Sequence, residues 1–228
     1  MTRRLTIVWP DRPAFADRGD GRIRLLAVSD EVDPALEHQV NRERIGRIDA
    51  VVGCGDLEPS YLGFLADAFG VPMTYVRGNH DRGGHWAATS AQAPSPQASG
   101  RPIEVAGLTV VPLEWPGIDR DTVLRDEWRA WFHVLRAEWA LLWRRVRGRG
   151  GPVLVMSHAA PYGVGDAADA YHVGFRAYRW LLERHHPPVW LHGHTTTASV
   201  ADWRTTLGPS TVANVTGSVV VELMPPTD

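Results

Sequence analysis

Five short apolar runs, each delivering a metal-binding or proton-moving residue at its end, constrain this chain more than any other feature. Residues 23–28 run into Ser29-Asp30, and 50–52 run into Gly53-Cys54-Gly55-Asp56. Residues 73–76 lead into Arg77-Gly78-Asn79-His80-Asp81. Further on, 153–156 lead into Ser157-His158, and 189–191 into His192-Gly193-His194. A short continuous apolar run is what a buried strand requires. In layered α/β sheets, function gathers outside the carboxyl ends of the strands, where loops are free to carry polar groups. Five strands that bring Asp, Asn and His to one edge predict the walls of a metal site.

The segments between the runs read as helices, loops and a hairpin. Residues 34–48 can make a helix. Pro59 sits where a first helical turn tolerates proline, and Tyr61, Leu62, Leu65 and Phe69 follow at helical spacing. Residues 87–102 are rich in Ala, Ser, Pro, Gln and Gly, which predicts a mobile loop. The stretch 103–111 reads as a hairpin turning at Ala106-Gly107. Strands at 198–203, 210–215 and 218–223 would close the molecule as an antiparallel set. The longest helix is expected over 121–147, where Trp128, Trp131, Phe132, Leu135, Trp139, Leu142, Trp143 and Val146 recur at steps of three and four. A ligand box could use such a stripe, but a core face covering a sheet is the reading preferred. Its end, Arg144-Arg145-Val146-Arg147-Gly148-Arg149, could bind phosphate; basic residues also complement the macrodipole there, and that is the preferred account.

Composition narrows the function classes. With 228 residues and 44% hydrophobic content, the chain can bury a sizeable core, and no repeat or linker divides it. One domain over 1–228 is expected. All 24 basic residues are arginine, so lysine chemistry of the P-loop or Schiff-base kind is excluded. The formal charge of −2 predicts no affinity for nucleic acid or anionic membrane. The single cysteine, Cys54, fits a reducing compartment and reads as a small buried residue. No run approaches the length of a membrane span, and the apolar run before Pro10 is too short for a signal peptide. A soluble cytoplasmic protein is the expectation. A Gly-x-Gly-x-x-Gly fingerprint and a Walker-type loop are both lacking.

Gly55-Asp56, Gly78-Asn79-His80-Asp81, Ser157-His158 and His192-Gly193-His194-Thr195 together resemble the calcineurin-like metallophosphoesterases, including bacterial members with a Ser-Asp-Glu-Val-Asp first motif. The resemblance implies a single-domain α/β fold, a four-layer αββα sandwich with two central sheets. It implies two metal ions bridged by an aspartate and a hydroxide. Carried over, Asp56 matches the bridging carboxylate, with Asn79, His158 and His194 as the other ligands of one metal. Asp30 matches a ligand of the second. His80 matches the acid that protonates the leaving group, and Asp81 beside it could orient the imidazole. Carboxylate, amide oxygen and imidazole suit manganese, iron or zinc. Taken singly, Asp56 and Asn79 also fit turn or cap residues, and His158 and His194 fit structural histidines.

Two expected imidazoles are missing. Val32 and Thr196 stand where the family has histidine, and both belong to the metal that Asp30 would hold. The resemblance therefore implies one tight ion and a second that is weak or absent, or held by a replacement ligand. Asp33, then His172, then His192 are the candidates, with capping or supporting roles open for each. The activity the resemblance implies is metal-dependent hydrolysis of a small phosphorylated substrate, a phosphodiester or phosphomonoester, by a metal-activated hydroxide. The alternative is a non-catalytic interaction scaffold that has kept the fold with a degenerate second site.

Overall fold

Each of the five apolar runs becomes a strand in the computed structural model, which describes residues 2–16, 18–82, 95–117, 125–195 and 203–226. In chain order the first half holds β1 (Arg3–Val8), β2 (Ile23–Ser29), α1 (Gln39–Ile45), β3 (Ala50–Gly53), α2 (Pro59–Phe69) and β4 (Met73–Tyr75). Then come β5 (Ile103–Val105), β6 (Leu108–Leu113), α3 (Glu127–Val146), β7 (Val153–Ser157), α4 (Arg176–His185) and β8 (Val189–His192). The chain ends with β9 (Arg204–Leu207), β10 (Ser210–Asn214) and β11 (Gly217–Met224).

Two sheets form, ordered β1-β11-β2-β3-β4 and β5-β6-β7-β8-β10-β9. The strands that carry candidate ligands, β2-β3-β4 in one sheet and β7-β8 in the other, are mutually parallel within each sheet. Their carboxyl ends open on the same edge, where Asp30, Asp56 and His158 meet. Apolar residues of both inner faces, among them Leu25, Val52, Leu154, Met156 and Leu191, form one buried cluster between the sheets. A second cluster seats α1 and α2 on the outside of the first sheet, and a third seats α3 and α4 on the second. The result is the expected four-layer αββα sandwich in one domain.

Several local expectations are met for identifiable reasons. Pro59 occupies the first turn of α2, and Gly70 ends that helix in the left-handed region. Ala106 and Gly107, both with positive φ, make the two-residue turn between β5 and β6. The segment 34–48 is shorter than expected as an α-helix: a 3-10 turn at Pro34–Glu37 precedes α1, and Asp33 caps it. Of the loop predicted at 87–102, residues 87–94 lie outside the described residues. The remainder is anchored by Gln97 N–H to the Tyr75 carbonyl and Gly100 N–H to the Pro112 carbonyl.

Three expectations need correction. The last strands are not one antiparallel set. β9 and β10 are antiparallel, but β10 runs parallel to β8, and β11 crosses to the other sheet between β1 and β2. The strand expected at 198–203 is found at Arg204–Leu207, most of 198–203 lying outside the described residues. The tryptophan stripe is also not the core face. α3 begins at Glu127, after the Asp126 side chain accepts from Trp128 N–H, and buries Ala130, Val134 and Ala137. Trp128 is 84% exposed, Trp139 72%, Phe132 65% and Trp143 57%. Small side chains let the helix axis approach the sheet, while Trp131 and Leu141 fill the margins. Both faces are apolar, so period alone does not say which one turns inward.

Candidate metal centre

Backbone geometry aims the side chains before chemistry begins. Asp30 directly follows β2, and Asp56 follows β3 by three residues. Both lie in the left-handed region, with φ of 58° and 55°, and His194 after β8 has φ of 66°. Non-glycine residues rarely sit there, and such strain clusters at functional sites. Each bend turns a polar side chain back over the strand ends. Two glycines make room for this. A Cβ on Gly78 would overlap the Asp56 carboxylate, and one on Gly193 would overlap Ser29 Oγ and Asp30 Oδ2.

Asp30, Asp56 and His158 converge so that one ligating atom of each lies within 4.8 Å of the others. His158 is fully buried, and its Nδ1 donates to the Cys54 carbonyl at 2.8 Å, which ties the second sheet to the first. That bond leaves Nε2 facing Asp56 Oδ2 at 3.2 Å and Asn79 Oδ1 at 2.6 Å. Burial would lower the His158 pKa, but the Asp56 carboxylate outweighs it and lifts the group to about 9. Burial likewise opposes ionisation of Asp56, yet the His158 imidazole holds that carboxyl at about 2. Asp30 is raised, chiefly by burial. Its carboxylate accepts from His194 N–H at 3.0 Å and from Thr216 Oγ1 at 3.3 Å. Two carboxylates, an amide oxygen and one imidazole nitrogen thus face a common point where positive charge is favoured. This donor set fits a divalent ion such as manganese, iron or zinc.

His80 and Asp81 part company. The His80 backbone N–H donates to Asp56 Oδ1 at 2.8 Å, and its side chain stands exposed at the rim. Its Nε2 meets the Tyr171 hydroxyl at 3.1 Å, and the same hydroxyl accepts from Asn79 Nδ2 at 2.8 Å. Asp81 is buried and turned the other way: its Oδ2 accepts from Asp56 N–H at 2.7 Å and Gly78 N–H at 2.8 Å. Burial, with Asp56 nearby, raises its pKa to about 6. Asp81 therefore clamps the two ligand loops together, and Tyr171 takes the place beside His80 expected for it.

His194 borders the three converging residues, with its ring turned away from their common point. Its Nε2 donates to the Tyr171 carbonyl at 3.0 Å, and its ring lies 4.7 Å from Trp115 and 5.0 Å from His158. Burial, then the positive His158, hold its pKa down to about 3. Asp30 rather than His194 joins Asp56 and His158, because the bend at His194 sends its N–H to Asp30 and its ring toward Trp115. Among the candidate replacements, Asp33 is engaged elsewhere: Oδ1 accepts from Ala35 N–H, and Oδ2 from Ser218 Oγ. His192 is buried in β8, with Nδ1 on the Gly193 carbonyl. His172 is near, its ring 5.3 Å from His194, but Nδ1 is held by Asp169 at 2.9 Å. Val32 is 43% exposed and supplies no ligand atom, and Thr196 lies outside the described residues. Cys54 is a buried thiol whose pKa burial raises, as a core residue requires.

Tyr171, Thr216 and Trp115 are the site residues that sequence reading misses. Tyr171 directly precedes His172, so the residue pattern points to the right loop and the wrong neighbour. Trp115 and Thr216 carry no motif.

The family model for calcineurin-like phosphoesterases matches residues 35–197, well over half of the chain, and this protein belongs to that family. Solved structures share the fold. TT1561 of Thermus thermophilus superposes with a TM-score of 0.57 at 19% identity, covering 86% of this chain and 89% of that one. Another crystal structure gives a TM-score of 0.60 at 12% identity, covering 86% and 91%. No curated protein matches the chain. Among the described residues, no helix is long and apolar enough to cross a membrane.

Proposed function

We propose that this chain hydrolyses a phosphoester at a centre built on Asp30, Asp56, Asn79 and His158, with His80 as the general acid. The observation that carries this reading is the convergence of Asp30, Asp56 and His158 within 4.8 Å, directly behind an exposed histidine. A divalent ion held there supplies polarisation of a phosphate oxygen and lowers the pKa of water. Asp56 and Asp30 neutralise its charge. His158, locked by the Cys54 carbonyl, presents Nε2 in a fixed orientation, as ligating histidines usually do.

His80 supports the catalytic half of the proposal. Its backbone N–H is tied to Asp56, which holds the start of its side chain beside that carboxylate. Its exposure lets Nε2 reach the departing oxygen of a bound ester, and a proton delivered there keeps an alkoxide from forming. Tyr171 positions that nitrogen. Because Asp30 joins the same three-donor group, a single tight ion is the stoichiometry this arrangement favours, with the second position lacking an imidazole at Val32.

The test is turnover of aryl phosphodiesters and monoesters by manganese-loaded protein, wild type against His80→Ala. The variant is expected to lose about 100-fold or more in kcat, the usual contribution of a positioned acid. A broad panel with no turnover by the loaded wild type rejects the enzyme reading and leaves the scaffold.

A further inference from the structure

The outward face of α3 is apolar along most of its length. Trp128, Phe132, Leu135, Trp139, Leu142 and Trp143 follow one another along a 20-residue helix, and all are exposed. Such a helix is about 30 Å long. A contiguous aromatic stripe of that length marks an interaction surface, since single exposed apolar residues are ordinary but stripes are not.

The charges around the stripe say what it meets. Arg129 and Arg136 line one edge, and Arg145 lies on the other. Arg136, Arg145 and Arg149 have no acidic partner among the described residues. The helix's own carboxylates are already engaged. Glu127 accepts from Ala177 N–H, and Glu138 pairs with Arg184 and His185. At the end of the helix, Arg144, Arg145 and Arg149, with Arg184 and Glu138 opposite, line a cavity of about 660 Å³ beside the stripe. Arg144 pairs with Glu104 and Arg184 with Glu138, so among the described residues the cavity's uncompensated charge comes from Arg145 and Arg149. This cavity shares no residue with the ligand cluster.

We infer that α3 is a peripheral docking face for an anionic phospholipid surface, its aromatic stripe entering the headgroup layer and its arginine-lined cavity receiving a phosphate-bearing headgroup. Trp, Phe and Leu on one face with arginine beside them is the arrangement that seats a helix in the interfacial plane. A second copy fits worse, because pairing the stripes sets arginine edges against arginine edges. The formal charge of −2 averages over the whole chain and hides this local excess. The inference revises the expectation, drawn from net charge, of no membrane affinity, and it does not depend on the phosphoesterase reading.

The purified full chain is mixed with vesicles of equal parts phosphatidylglycerol and phosphatidylcholine, or of phosphatidylcholine alone, and co-sedimentation is measured with rising salt. Binding to the mixed vesicles is expected to exceed binding to neutral ones by roughly tenfold or more, and to weaken with salt. Two variants are compared, Trp139→Ser with Trp143→Ser, and Arg145→Gln with Arg149→Gln, each checked for native circular dichroism. Each is expected to lose roughly tenfold in partitioning. These side chains are exposed, so folding should survive. No partitioning onto the mixed vesicles, or equal partitioning onto both kinds, overturns the inference. So does a solution dimer that the tryptophan variant converts to monomer while the wild type ignores vesicles, which would make the stripe a face for a second copy.

Discussion

Tyr171 shows how much a single hydroxyl can organise. It accepts from Asn79 Nδ2 and meets His80 Nε2, so one oxygen sets the distance between a proposed ligand and the proposed acid. Its backbone carbonyl holds the His194 ring as well. Tyr171→Phe keeps the ring and the carbonyl and removes only the hydroxyl. A hydrogen bond of this kind contributes about 1 kcal/mol. If His80 is the acid, the variant is expected to lose roughly five- to tenfold in kcat with little change in KM, since the contact acts on that histidine and not on ground-state binding. An unchanged kcat would mean that the hydroxyl is only a surface contact. Asp81 shows the opposite case: a residue that sequence order places beside His80 serves the backbone of Asp56 and Gly78 instead. Adjacent side chains point apart here, so adjacency in sequence misassigns its role.

At the scale of the element, α3 carries a pH-dependent share of stability. His133 lies on its flank, and Nδ1 is buried without a hydrogen-bond partner among the described residues. Burial first, then Arg129 and Arg136, hold its pKa down to about 4. In the unfolded chain the group titrates near about 6.5. Between these values the unfolded state binds more protons, so stability rises with pH and falls on acidification. Lowering the pH from about 7 to about 4.5 is expected to cost on the order of 2 kcal/mol through this group alone. Urea melts of wild type and His133→Leu check it: the difference in unfolding free energy between the two should shift in the variant's favour by that amount across the window. Parallel curves would assign the acid sensitivity to other histidines. The same helix explains why pattern misplaces its tryptophans. Two apolar stripes share one period, and close packing on the sheet selects Ala130, Val134 and Ala137 over larger residues.

For the molecule as a whole, the ligand cluster joins two sheets that share no hydrogen-bonded strand pair among the described residues. Asp30 and Asp56 come from the first sheet and His158 from the second, so an ion bound among them would brace the sandwich at its open edge. Saturating manganese, at about 100-fold above Kd, is expected to stabilise the fold by about 2.7 kcal/mol. For a domain of this size that raises Tm by roughly 5–10 °C. Metal analysis after purification without chelator should find close to one ion per chain, and Asp56→Ala should abolish both effects. Two equally tight ions would reject the single-ion arrangement and direct attention to His172. The five strands that end on Asp, Asn or His, and the edge on which they open, are legible in the residues themselves, while the four-layer sandwich is implied only by the resemblance of their motifs to a family. Strand formation is local in pattern, and a run of Val, Leu and Ile ending on Asp or His needs no partner to be recognised. Tertiary packing settles the rest: that β11 crosses between sheets, that Asp30 converges with Asp56 and His158, that Asp33 is a cap, and that Tyr171 attends His80. Those outcomes depend on backbone bends with positive φ and on contacts between residues far apart in the chain, such as Asn79 with Tyr171, which no local pattern encodes.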